Sequence, residues 1–416
     1  MSHMTKKIGI IGGGAAGLFT VCQIKRLTGG KNVEVTVLEK KSVPGIKLTL
    51  TGHGRCNITN RKDASELKKG FHEAERFIYP ALKEFGPEDT MKFVEDELGL
   101  KLKEEENNRI FPVCDSAVKV RDAIVSYISD CTKIVSGAGA KEIRTGNGFE
   151  VITDSGKYSF DCVVLACGGS SFAKTGSTGD SYKLAASLGH TIVPMRGALA
   201  PVRADADSAG LCKSLSGVSV NADVSVWHGD KKTASYGGEL LFAEFGLTGP
   251  AVMEISREIP HDPGRDTYLE LDLVPSVRDE EFDRELQRLI CEHSDTKITA
   301  LLARYVPASV AQGIASRAGV TDLYAQGFTK ENRKKTCREM KHLKIGISKA
   351  PDQDKAYVTR GGVSLKEVDR KTMMSRIVPG LYIIGEALDV DGISGGYNLQ
   401  ACMSEAYLTA RSIINS

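Results

Sequence analysis

The chain has 416 residues, 41% of them hydrophobic and 26% charged. Domains mostly run about 50–200 residues, so two or three are expected. Lys and Arg total 55 against 53 for Asp and Glu, a formal charge of +2, which argues against a dedicated nucleic-acid binder with its basic excess. No stretch approaches about 18 uninterrupted apolar residues, so no membrane span is expected. The opening MSHMTKKIGIIGG lacks a signal-peptide pattern, and Met1 to Met4 read as a tag remnant before a second start. Ten cysteines with no C-x-x-C pair read as reduced thiols of a cytoplasmic protein, with no cysteine-built metal site. Eight scattered histidines form no H-x-x-H or H-x-x-x-H pair, so no metal is expected.

In chain order, Lys7 to Ile11 is a β-branched run. GGGAAG (12–17), a helical LFTVCQIKRL and a second strand VEVTVLEK (33–40) follow. This is one βαβ unit of about 30 residues, and its right-handed crossover implies a parallel sheet. The spacing of SAVKVRDAIVSYISDC predicts a helix over 116–131. FEVITDSG and KYSFDCVVLACGG (149–169) predict hairpin strands and then a buried strand, Val163 to Ala166, that stops at glycines. Residues 190–275 alternate, as in VSVNADVSVW and TYLELDLV, and predict a sandwich or small barrel. Residues 279–341 turn helical and end in the basic run ENRKKTCREMKH. That run has no interleaved aromatics and reads as a solvated face. The stretch 379–414 is strand, Gly-rich turn and helix, which matches the opening unit. The expected fold is therefore α/β: a discontinuous Rossmann-like nucleotide-binding domain (1–190 and 366–416), a β-rich barrel-like insert carrying substrate (191–278 and 342–365), and a helical subdomain (279–341).

Gly12, Gly14 and Gly17 fit G-x-G-x-x-G between a strand and a helix. The first glycine serves the tight turn, the second the approach of a pyrophosphate, and the third the packing of helix on strand. The helix N-terminus adds unpaired N–H groups for the phosphates. Glu39 closes the second strand 22 residues after Gly17, where a carboxylate accepts from a ribose diol and repels a 2′-phosphate. NAD and FAD both fit that fingerprint. VVLACGG (163–169) resembles the A-T-G-G strand end of two-dinucleotide-binding flavoproteins, and GLYIIGEALDVDG (380–392) resembles their second strand-end signature, so FAD is the better choice.

GIKLTLTGHGRCNITN (45–60) and GEALDVDGISGGYNLQ (385–400) resemble the signatures of the BaiN/YhiN-like family of NAD(P)/FAD-dependent oxidoreductases. The likeness runs essentially end to end. It implies a soluble enzyme with non-covalent FAD, with NADH or NADPH as a transient electron donor and a small organic substrate. Reduction of a conjugated C=C comes first; an oxygen-using amine oxidase of the aminoacetone oxidase type and a non-redox, RNA- or partner-binding FAD protein are alternatives. No nucleic acid or membrane partner is expected.

The same resemblance places Gly12, Gly14, Ala15 and Ala16 at the pyrophosphate and Glu39 and Lys40 at the adenosine ribose. Lys47, Gly54, Arg55, Cys56 and Asn57 fall on the flavin side, and Ala140 lies beside the adenine. Ala166, Cys167 and Gly168 form the strand end, with Cys167 replacing the usual threonine. Gly385, Glu386, Asp391, Gly395, Gly396, Tyr397, Asn398 and Leu399 complete the ribityl and pyrimidine side. Gly395 and Gly396 are expected to let a helix N-terminus approach the ring, because no Cβ stands in the way. For Arg55 a structural salt bridge weighs as much as ligand binding, and for Cys56 a small buried hydrophobe outweighs a redox thiol. The cluster GGSSFAKTGSTGDSYKLAASLG (168–189) reads as a loop near the cofactor. No catalytic residue is assigned; Tyr397 and Tyr236 are candidate proton donors.

Overall fold

The computed structural model describes residues 5–416, so the tag remnant expected at Met1 to Met4 lies outside the described residues. The chain forms two compact units, one of residues up to Arg196 together with Val358–Ser416, the other of Gly197–Tyr357. Strand Val358–Val363, placed in the insert by its sequence, belongs to the first unit.

In the first unit five strands lie parallel, in the order Leu381–Ile383, Cys162–Leu165, Lys6–Ile11, Val33–Glu39 and Thr132–Ser136. Ile8, Ile10, Val35, Val37, Val163 and Val164 are all buried, the composition of a sheet covered on both faces. Helix Ala15–Thr28 is buried continuously from Ala16 to Ile24 and packs on the closing helix Tyr397–Asn415. The two ends of the chain thus complete one layer. Two antiparallel additions hang on this frame. One is the sheet Ala140–Gly146, Gly148–Thr153 and Gly156–Phe160; the other is the short sheet of Thr59–Asn60, Arg109–Pro112 and Leu102–Glu105.

In the second unit six antiparallel strands run in the order Val202–Arg203, Gly246–Thr248, Lys231–Ala243, Ser219–His228, Thr267–Asp272 and Leu343–Gly346. The edge strands meet through the bridge Ala204–Ile347, with the Asp205 amide donating to the Gly346 carbonyl at 2.8 Å. That contact closes the sheet as a barrel. The helices over 279–341 do not stand apart. Phe282, Leu286, Leu301, Val310 and Ile314 share one buried core with Val224, Leu240, Phe242, Leu269 and Leu271, because short amphipathic helices need an apolar partner to fold. The basic run is likewise only partly solvated. Lys341 is buried, and its Nζ donates to Asp272 Oδ2 at 2.6 Å and to the Val274 carbonyl at 2.8 Å. Arg333 is bidentate on Asp283.

Replacing the buried cation takes a donor from the Asp272 carboxylate and from the Val274 and Val277 carbonyls. Lys341→Met is expected to destabilise the second unit by about 3 kcal/mol. Trp227, the one tryptophan, lies on strand Ser219–His228, so urea unfolding followed by tryptophan fluorescence reads that unit directly.

Candidate functional site

The Gly-rich turn after the first strand is built from steric necessity. A Cβ on Gly12 would lie 2.5 Å from the Ala166 carbonyl oxygen, and one on Gly17 would lie 2.0 Å from the Gly12 carbonyl oxygen. Side chains are therefore excluded where strand ends cross and where the helix returns onto the turn. A Cβ on Gly14 would meet nothing within 4 Å. Helix Ala15–Thr28 starts there with no side-chain cap and no acidic residue in its first turn, which leaves its first amides and partial positive charge to an anion.

Glu39 braces this turn. Its Oε2 accepts from the Gly13 amide at 2.8 Å and its Oε1 from the Lys41 amide at 2.7 Å. Burial pushes the carboxyl above its ordinary range, and the amides of Lys41, Gly13 and Lys40 pull it part of the way back. The segment before Ala140 runs alongside: the Ala138 amide donates to the Glu39 carbonyl at 2.8 Å, and the Gly137 amide to the Lys41 carbonyl at 3.1 Å. Lys40 Nζ reaches Thr178 Oγ1 at 2.7 Å and Asp180 Oδ2 at 2.8 Å. The 168–189 cluster is thereby tied to the end of the second strand, and its helix begins at Asp180.

A second group forms around Glu386. Lys47 Nζ donates to its Oε2 at 2.6 Å, while Ser171 Oγ at 2.8 Å and the Thr359 amide at 2.7 Å donate to its Oε1. Lys47 also donates to Ser171 at 2.7 Å. The Tyr182 hydroxyl holds the Glu386 carbonyl at 3.0 Å. Just before it, Gly385 is left-handed at φ +65°, and a Cβ there would lie 2.8 Å from the Ala16 Cβ. The loop opening at Gly385 therefore seats against the first turn of helix Ala15–Thr28. At the strand end, Ala166 is buried and Gly168 is left-handed at φ +75°. The Cys167 thiol donates to the Ile11 carbonyl at 3.3 Å, and burial pushes it up to about 12; it is a thiol, not a thiolate.

Several predicted side chains are committed to local structure instead. Arg55 pairs with Glu105 and Asp115 over the Phe111 ring. Cys56 is fully buried in a left-handed residue, its thiol pushed up to about 12 by burial. Asn57 Nδ2 donates to the Thr59 and Ile110 carbonyls. What these residues can offer a ligand is backbone, as can Gly54, where a Cβ would meet nothing within 4 Å. Tyr397 is buried against Phe71, and its hydroxyl takes a hydrogen bond from Lys62 at 3.2 Å, so its ring is packing. Leu399 is buried beside it. Asn398 closes its own loop through both ends of Gly392. The reason for the glycine pair also changes. A Cβ on Gly396 would lie 2.4 Å from the Thr59 carbonyl, so that glycine is required by the neighbouring strand. The Gly395 carbonyl accepts from Asn60 at 3.2 Å.

Sequence reasoning missed a cavity of about 240 Å³ within the first unit. Val193 and Leu365 supply apolar wall, Arg196 and Arg360 supply cations, and Asp389 and Asp391 supply carboxylates. Asp389 Oδ1 accepts from the Gly361 amide at 3.0 Å. Burial, and then the neighbouring Asp391, push the Asp389 carboxyl above its ordinary range. The D-x-D spacing after Glu386 was the available signal, of which only Asp391 was picked out.

The two glycines separate fold from ligand. Gly17→Ala is expected to cost about 3 kcal/mol through its backbone clash. Gly14→Ala, with φ −79° and ψ −172°, is expected to keep a near-native thermal midpoint while losing at least about tenfold in dinucleotide affinity. Thermal unfolding beside equilibrium dialysis measures both.

The chain is 31% identical over 415 residues to a 3-dehydro-bile acid delta(4,6)-reductase of Clostridium scindens, covering 98% of each chain. It is 30% identical over 425 residues to a ribosomal RNA dihydrouridine synthase of Haemophilus influenzae, covering 99% of each. In fold it is similar to 3-ketosteroid delta1-dehydrogenase from Sterolibacterium denitrificans (TM-score 0.51, 12% identity, 99% of this chain and 100% of that one). The model of the HI0933-like protein Rossmann domain matches residues 6–412, which is nearly the whole chain, and the protein therefore belongs to the HI0933-like family.

Proposed function

We propose that this protein is an FAD-dependent oxidoreductase that reduces a C=C bond conjugated to a carbonyl group. The observation that carries the cofactor is the open Gly14 face at the uncapped N-terminus of helix Ala15–Thr28, with Glu39 beside it. The residues present fit the group. Gly12 to Ala16 offer amides for the pyrophosphate, Glu39 offers a ribose acceptor, and Lys47 with Glu386 offers a donor–acceptor pair to the ribityl side. FAD, when bound, supplies two-electron hydride chemistry.

The substrate class draws support from both relatives' names. A delta(4,6) system beside a 3-oxo group and the uracil double bond beside its carbonyl pose the same problem: polarise a carbonyl, then place one proton. The cavity carries groups suited to each task. Arg196 can take a carbonyl oxygen beside Arg360, which is paired with Glu73 at 3.1 Å, and Asp389 can hold a proton on Oδ2, the oxygen that Gly361 does not bind. Val193 and Leu365 exclude water from one wall. NADH or NADPH as electron donor belongs to this reading. The amine-oxidase alternative draws no support from these relatives.

A second reading holds the conjugated ring in RNA, against the sequence-based expectation of no nucleic-acid partner. It is favoured by the exposed cations Lys69, Arg76, Arg196, Lys366, Arg370 and Lys371 in the first unit, of which Arg196 lines the cavity.

Anaerobic bleaching of the yellow protein tests the main reading. NADPH or NADH should bleach it and a 3-oxo-4-ene steroid or a uridine-containing RNA should restore the colour; bleaching by small amines alone would overturn it. RNA binding that falls steeply with salt selects the second reading. Asp389→Asn is expected to lower turnover by about 10²–10⁴-fold, while visible absorbance shows FAD occupancy unchanged.

A further inference from the structure

The closing helix Tyr397–Asn415 carries a carboxyl group that no part of the proposed reaction uses. We propose that Glu405 is the positioning residue of the second cofactor loop: in its neutral form it holds the Gly385 amide against the first cofactor helix, and its ionisation loosens that loop and weakens FAD binding. The proposal rests on the FAD reading above.

Glu405 is fully buried, and its Oε2 accepts from the Gly385 amide at 2.6 Å. Gly385 is the residue whose left-handed turn touches Ala16, two residues past Gly14, and the next residue, Glu386, binds Lys47, Ser171 and Thr359. One acid therefore links the closing helix to both halves of the cradle. Its other oxygen, Oε1, is buried with no hydrogen-bond partner. A negative charge there would be desolvated and uncompensated, a far costlier state than a protonated carboxyl.

Among the described residues no cation offsets that charge. On the same helix Cys402 is a buried thiol pushed upward by burial and by Glu405 itself, and Arg411 pairs with Glu84. On the Gly385 loop Glu386 is paired with Lys47. On helix Ala15–Thr28 Cys22 is a buried thiol, Lys25 pairs with Asp130, and Arg26 lies over the Phe85 ring. On helix Glu75–Glu84 Glu75 pairs with Lys68, while Arg76 and Lys83 are exposed. The charged residues of helix Pro87–Asp96 are exposed. Burial accordingly pushes the Glu405 carboxyl up to about 8, against only the Gly385 amide pulling down. A raised folded-state value means the folded form keeps its proton where the unfolded chain has lost it. The stability tied to this group is therefore full below the ordinary carboxylate range and is lost as pH rises through about 8.

The test measures FAD affinity by flavin fluorescence between about pH 6 and 9 for wild type, Glu405→Gln and Glu405→Ala. Glutamine keeps an acceptor for the Gly385 amide and cannot ionise. Wild type is expected to lose about tenfold in affinity between neutral and high pH. The glutamine variant should bind tightly across the range, and alanine weakly throughout. A glutamine variant with the wild-type pH profile would overturn the proposal, as would a wild type flat in pH. If the alanine variant does not fold, the glutamine comparison still decides. Wild type without FAD affinity at neutral pH would instead bring down the FAD reading, and this proposal with it.

Discussion

The carboxylate of Glu386 is the point at which three distant segments of the first unit meet. Its donors come from Lys47, Ser171 and Thr359, three segments that lie far apart in the chain and are also joined by the Lys47–Ser171 and Ser170–Thr359 hydrogen bonds. A carboxylate that accepts from an ammonium, a hydroxyl and an amide is fixed in position. Remove it, and a half-buried ammonium, a strand amide and a serine each lose one hydrogen bond at once. With the Lys47–Ser171 and Ser170–Thr359 hydrogen bonds, that group holds the loop at 168–189, the strand Val358–Val363 and the segment around Lys47 together.

Four acids in the first unit show how strongly burial and partners divide a single side-chain chemistry. Glu386 is satisfied by three donors. Glu39 is buried but held by backbone amides, which suits an acceptor that must stay in place at the end of a strand. Asp389 shares its cavity with a second carboxylate, an arrangement that favours a held proton. Glu405, with one amide and one orphaned oxygen, is furthest toward the neutral acid. In Glu39, Asp389 and Glu405 burial is the first cause of the upward shift, and backbone amides oppose it.

The second unit is a closed barrel and helices around one core. Its composition differs little from a generic β-rich insert, and its buried Lys341 shows why charge counting along a sequence misjudges a surface. A basic run on a helix has one face that must pack, and the residue that falls on that face needs an internal acceptor. Asp272 and the Val274 carbonyl supply it.

The amino-acid sequence by itself determined the elements whose requirements are local. A strand, three spaced glycines, a helix and a terminal glutamate can satisfy their hydrogen bonds and steric demands within one βαβ unit, so 6–39 was legible without tertiary information. The same holds for the strand end at 163–168 and for the return of the C-terminal helix to the first sheet. Tertiary structure alone decided the roles of residues that face partners distant in the chain. Gly396 is glycine because of Thr59, Arg55 faces Asp115, and Tyr397 fills space beside Phe71. Glu405 and Asp389 read as an ordinary helix residue and a loop residue until burial and a distant amide, from Gly385 or Gly361, set their protonation. Sequence spacing encodes backbone periodicity. A side chain's electrostatic environment depends on which chain segments exclude water around it, and that is known only once the fold has closed.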